Sequence, residues 1–162
     1  MEYGNLQAKL EEVKKQEEEL IFKSFSNEDA WHIGMFIIES AKKINKSVAV
    51  NIVKNRQTVF HYGMDGTSPD QDEWIKKKSN VVLRHHHSSY YMMLYNQLKD
   101  RSYFDFYSAS PFEYAVHGGA FPIITEGSGV IGVITVSGLT QEEDHDLVVK
   151  AITGFLNKTS RQ

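Results

Sequence analysis

The sequence predicts an α/β (α+β) chain: an antiparallel sheet of about five strands covered by helices, with a helical arm in front. Three observations carry this. Helical periodicity recurs at four places along the chain, and one of these apolar faces is wide enough to lie on a sheet. Two pairs of segments rich in β-branched and aromatic residues alternate with them. Each pair is joined by a short polar or glycine turn, which is how antiparallel neighbours are connected.

Residues 1–23 read as a separate amphipathic arm. Leu6, Leu10, Val13 and Leu20 recur at heptad-like spacing, and Glu17 interrupts the stripe. Glu11 with Lys15 and Glu19 with Lys23 stand in the favourable i,i+4 order on the polar faces. So narrow a stripe needs a partner surface, on its own domain or on a second copy. The remaining residues, 24–162, read as one domain. Ser26 and Asp29 make a capping-box pattern preceded by Phe25, and the helix they open carries Ala30, Ile33, Gly34, Ile37, Ile38, Ala41 and Ile44 on one face. Residues 47–53 and 58–62 form a hairpin around the polar turn Lys54, Asn55, Arg56 and Gln57.

Residues 63–69 are loop by composition, and 70–98 read as one long helix, with Asp70, Asp72 and Glu73 in the first turn where the dipole favours acids. A loop at 105–111 leads to two strands, 114–125 and 130–137, separated by Glu126, Gly127, Ser128 and Gly129. Thr140 with Glu143 caps the last helix, whose Leu147, Val148, Ala151, Ile152, Phe155 and Leu156 repeat with helical spacing.

Composition removes several function classes. With 18 Lys and Arg against 21 Asp and Glu the formal charge is −3, which supports neither nucleic-acid nor polybasic membrane binding. The arm carries 4 of the bases and 6 of the acids, so the remainder, with 14 and 15, is nearly neutral. Cysteine is absent, which excludes disulfides, zinc–thiolate sites and thiol nucleophiles. The longest apolar run, residues 90–95, is far too short to span a bilayer, and the N-terminus shows no secretion signal. A cytoplasmic protein is the expectation.

The long helix carries the sharpest chemical signal. Trp74, Val81, Val82 and Met92 share one face, and Lys78, His85 and Ser89 fall inside that stripe. A lysine on a core-facing stripe must snorkel, pair or meet a ligand. Lys78 is therefore either a rim residue or the wall of an anion pocket, while His85 reads better as a core histidine. Arg84 has no acid at i−4 or i+4, and its fork suits carboxylate or phosphate. Of the seven histidines, His85, His86 and His87 are adjacent, and neighbours on a helix point about 100° apart, so they cannot close on one ion. No metal site is expected. The paired glycines of His117, Gly118 and Gly119 permit positive φ and close backbone approach, which suits either a ligand loop or a strand bend. Ser137, Gly138, Leu139 and Thr140 leave a strand and start a helix, an anion-friendly arrangement that is not a P-loop. Asp144 and His145 follow, adjacent and so facing different ways. No hydrolase nucleophile motif is present, and catalytic residues stay unassigned.

Residues 72–84, Ser88 with Ser89, residues 117–123 and residues 129–149 together resemble the GlcG/HbpS-like superfamily, whose shared domain is labelled heme-degrading, and within it the uncharacterised branch. The resemblance covers residues 26–156. Members of that branch usually have Phe at the place of His85 and Pro at the place of Thr140. It implies a profilin-like or PAS-like fold with a five-stranded antiparallel sheet, and homo-oligomers built from dimers. Heme, the cofactor of other branches, needs only one axial histidine and an apolar slot. The leading expectation is a cytoplasmic homo-oligomer that binds a small anionic molecule through Lys78, Arg84, Ser89, His117, Gly118, Gly119 and His145. The alternatives are a heme-binding or heme-degrading protein, and an interaction module that recruits a partner through the N-terminal helix.

Overall fold

The computed structural model describes residues 2–160. Six helices and four strands follow in the order α1 (Tyr3–Glu19), α2 (Asn27–Lys43), β1 (Ala49–Lys54), β2 (Gln57–Gly63), α3 (Pro69–His85), α4 (Ser89–Leu98), α5 (Tyr103–Tyr107), β3 (Ala120–Thr125), β4 (Gly129–Ser137) and α6 (Gln141–Thr159). The strands form one antiparallel sheet in the order β2-β1-β4-β3. Alternation along β4 divides the core between the two faces. Ile134 and Val136 point into the main cluster, where Ile33 and Ile37 of α2 meet Val148 and Ile152 of α6. Val133 points the other way, with Ala120, against Val82 of α3.

Local chemistry explains the element ends. Ser26 and Asp29 make both bonds of the expected capping box, at 3.1 and 2.8 Å. Ser68 and Gln71 make a second one that opens α3 with Pro69 in its first turn. The turn between β1 and β2 holds Asn55 and Arg56 at positive φ, as a tight two-residue hairpin turn requires.

Three expectations need correction. The sheet has four strands where about five were expected. The stretch 114–119 adds none, because its amides turn elsewhere: Tyr114 N–H donates to Ser110 O and Ala115 N–H to Lys77 O, so the ladder starts only at Ala120. The helix expected over 70–98 is two helices. His86 adopts a left-handed φ of 58° and ends α3, and the Ser88 hydroxyl accepts from Tyr91 N–H to start α4. A short helix, α5, capped by Ser102, begins just before the segment expected as loop at 105–111 and runs into it.

The arm packs on its own chain. Leu6, Leu10 and Val13 lie against Tyr90, Met93 and Leu94 of α4, each buried apolar side chain contributing about 1.5–3 kcal/mol. Beyond α1, Phe22 N–H donates to Ile124 O and Phe22 O accepts from Glu126 N–H, covering the outer edge of β3.

Candidate functional site

A cleft of about 240 Å³ opens where β4 gives way to α6. Gly138 makes the exit from β4 at φ +144°, and a Cβ there would stand 2.7 Å from Ser47 O. Thr140 caps α6, accepting from Glu143 N–H at 3.2 Å. The opposite wall is one stripe of α3, with Gln71, Trp74 and Lys78 at three- and four-residue spacing. His117 and Gly118 close the third side.

Lys78 lies beneath the cleft and is 2% exposed. Its ammonium donates to Gly118 O at 3.1 Å, Val136 O at 2.5 Å and Asp144 Oδ2 at 3.3 Å. Three acceptors match three ammonium hydrogens, the arrangement of a charged amine. Asp144 is also buried, and its Oδ1 accepts from Leu139 N–H at 3.0 Å. Burial pushes the lysine down and the aspartate up from their ordinary ranges, and each charge opposes the shift of the other. The result is a compensated ion pair that ties α3 to the start of α6 and to the 117–119 segment.

The cleft walls are rich in donors. Gln71 Oε1 accepts from Ser68 N–H at 2.7 Å, and Gln141 Oε1 accepts from Gly118 N–H at 3.2 Å. Backbone amides fix both side-chain oxygens as acceptors, so both amide nitrogens remain as donors without a partner among the described residues. The His117 imidazole packs edge-on against Trp74 at 5.3 Å between centroids and makes no hydrogen bond among the described residues. Burial, and then the charge of Lys78, lower its pKa below 6.5, so the ring is neutral near pH 7, one nitrogen a donor and the other an acceptor. Such a lining suits a small ligand that presents oxygen acceptors.

The seven candidate residues do not all meet here. Lys78, His117 and Gly118 line the cleft, and Gly119 lies directly behind it at φ +132°. A Cβ on Gly118 would collide with Gln141 O, and one on Gly119 would meet the Lys78 ammonium and, at 2.5 Å, Val136 O. The glycines thus serve close packing, and the Gly118 amide is taken by Gln141. Arg84 stands near the other end of α3, exposed, donating to Tyr107 O at 2.8 Å and lying over the rings of Tyr107 and Tyr114. Ser89 is buried at the start of α4, where its hydroxyl holds Ala120 N–H at 3.1 Å. His145 is 1% exposed and faces α1, with Nε2 at 2.7 Å from Gln16 Oε1 and Nδ1 without a partner among the described residues. Its neighbours Tyr90 and Phe121 shield it, and burial, aided by Lys9, lowers its pKa to about 3.

The three adjacent histidines part company. His85 reaches Tyr103 Oη at 2.8 Å, His86 is exposed, and His87 Nδ1 meets Glu17 Oε1 at 2.8 Å. Sequence reasoning weighed Asp144 only beside its neighbour His145 and left it out of the site, passed over Gln71 and Gln141, and assigned Trp74 to packing although it stands 39% exposed at the cleft. A signal existed for two of them: a core-facing lysine requires a buried acid, and Ser68 with Gln71 is a capping-box spacing.

The sequence profile of the family described as "Haem degrading protein HbpS-like" matches residues 25–153. A UPF0303 protein of Streptomyces coelicolor is 40% identical over 147 residues, 91% of this chain and 93% of that one. A UPF0303 protein of Psychromonas ingrahamii is 40% identical over 157 residues, 97% and 99% of the two chains. Among solved structures, the Ybr137w protein superposes with a TM-score of 0.85 at 33% identity, over 93% of this chain and 88% of that one. A PduOC:heme complex shares the fold at 19% identity, with a TM-score of 0.69 over 80% and 94% of the two chains.

Proposed function

The chain belongs to the HbpS-like family, and from that premise we propose that it binds a small, oxygen-rich anion in the cleft between α3 and α6. One observation carries the reading. The side-chain oxygens of Gln71 and Gln141 are both held by backbone amides, so the groups left facing a ligand are their amide nitrogens and the His117 ring. The pair of Lys78 and Asp144 supplies a rigid, charge-compensated floor, and recognition falls to neutral donors above it. About 240 Å³ suits a short carboxylate or a phosphate better than a drug-sized molecule. A cytoplasmic location and self-association belong to the same reading; exposed Trp31, Phe106 and Phe112 are surfaces that a second copy would cover.

Heme does not fit this cleft. The cleft is too small and too polar for a porphyrin, His117 is packed edge-on against Trp74, and the buried Nε2 of His145 is committed to Gln16.

Thermal-shift and calorimetric titrations with malonate, pyruvate and inorganic phosphate test the proposal. At least one probe should stabilise the protein saturably, and the stabilisation should disappear in His117→Ala and in Gln141→Ala while both variants stay folded, Gln141→Ala melting somewhat lower because it loses the bond to Gly118 N–H. Equal stabilisation of parent and variants, or none of the parent by any probe, would overturn it.

A further inference from the structure

A second and larger cavity lies elsewhere on the molecule, between α2 and α6. It has a volume of about 660 Å³, well within the range of small-molecule sites. Its lining is mostly apolar. Ile33 and Phe36 of α2 face Ala151 and Phe155 of α6, and Gly154 keeps the floor between the two rings low. The Phe36 ring stands 39% exposed, an apolar surface left in contact with water.

The charges at its rim are not equivalent. Asp29 is engaged, its Oδ2 accepting from Ser26 N–H at 2.8 Å. Glu39 is engaged with Lys42 at 3.3 Å. His32 turns Nε2 toward Glu28 at 3.7 Å. Lys158, in the last turn of α6, has no acidic partner among the described residues and is the cation left over. An apolar trough ending at an ammonium with no acidic partner among the described residues is complementary to a molecule with an apolar body and one anionic head.

We propose that the groove between α2 and α6 binds an amphipathic organic anion, with its body over Phe36 and Phe155 and its carboxylate or sulfonate at Lys158. This site is independent of the cleft at His117 and stands whether or not that cleft binds anything.

The test uses the full chain with 8-anilinonaphthalene-1-sulfonate and dodecanoate as probes. The dye should bind one site per chain with enhanced fluorescence, and dodecanoate should displace it competitively. Gly154→Leu raises a side chain into the trough. An added Cβ there lies 3.7 Å from the Phe36 ring, an ordinary contact that accommodates Gly154→Ala, and a thermal melt of Gly154→Leu checks that the longer side chain leaves the fold intact. Affinity for both probes should fall by about tenfold or more, with Gly154→Ala intermediate. Lys158→Glu, on an exposed helix end, should weaken dodecanoate by about tenfold and leave neutral dodecanol unchanged. Undiminished dye binding in Gly154→Leu, or identical effects of Lys158→Glu on dodecanoate and dodecanol, would overturn the proposal. So would an oligomer that Gly154→Leu dissociates while neither probe binds the parent, since the groove would then be an interface between copies.

Discussion

Lys78 Nζ and Asp144 Oδ2 approach to 3.3 Å in the interior although 66 positions separate them in sequence. Both side chains are almost wholly buried, and every hydrogen of the ammonium has an acceptor. Removing one partner of such a pair strands the other charge, whereas replacing both can cost little. Lys78→Met or Asp144→Leu alone should therefore destabilise the fold by about 3–5 kcal/mol. The double variant should recover a large part of that. Urea denaturation of the four proteins in a double-mutant cycle measures the coupling, and strictly additive losses would show that the two charges do not depend on each other.

Gly119 should be intolerant of any side chain. Its φ is +132°, and a Cβ would stand 2.5 Å from Val136 O and 3.0 Å from Asp144 Cβ. Gly127 has φ +80° but open space around it. Gly127→Ala should cost about 1 kcal/mol, from backbone strain alone. Gly119→Ala should cost about 3 kcal/mol or more, since the strain adds to a clash with backbone and ion pair. Paired thermal melts decide this; equal losses would remove the packing role assigned to Gly119.

Acid should destabilise the protein through His145. Its pKa is about 3 in the folded chain against 6.5 when free, because burial disfavours the imidazolium. The folded state thus binds fewer protons, so the contribution is complete above pH 6.5 and is lost as pH falls toward 3. Near pH 5 the loss amounts to about 2 kcal/mol. His145→Gln should flatten that slope. A slope that persists unchanged would assign it to other groups.

Glu17 should act in the opposite sense. It is buried on α1; Oε1 meets His87 Nδ1 and accepts from Ser88 N–H, and Oε2 has no partner among the described residues. Burial raises its pKa above 4.5 despite the opposing contacts with His87. Its folded state therefore favours the protonated acid, and stability is lost as pH rises through the shifted value. Glu17→Gln keeps an acceptor for Ser88 and removes the buried charge. Its melting temperature near pH 7 should equal or exceed that of the parent. A clear drop would mean that pairing with His87 outweighs the cost of burial.

The sequence was most legible where local chemistry decides structure. Ser26 with Asp29, Thr140 with Glu143 and the turn at Asn55 and Arg56 all act within a few residues, and each is found where the pattern puts it. The apolar stripe of α1 was equally readable, but its partner was not, because nothing local distinguishes α4 of the same chain from a second copy. The break at His86 was invisible, since a left-handed histidine has no compositional sign comparable to glycine. Lys78 was recognised as anomalous from its place on an apolar stripe. What resolves the anomaly, Asp144, is a tertiary contact, and periodicity cannot show which acid answers a buried lysine. Arg84 looked like a free anion binder for the complementary reason: its partners are a carbonyl and two aromatic rings, which leave no charge pattern in sequence.

Side-chain NMR of the histidine and tryptophan rings, during titration with malonate, pyruvate and phosphate in turn, tests whether the donor-rich cleft is where a small anion binds. His117 and Trp74 should shift saturably with at least one probe, while exposed His32 and His61 stay in place. Shifts spread over the surface histidines, with His117 and Trp74 unmoved by all three, would contradict it.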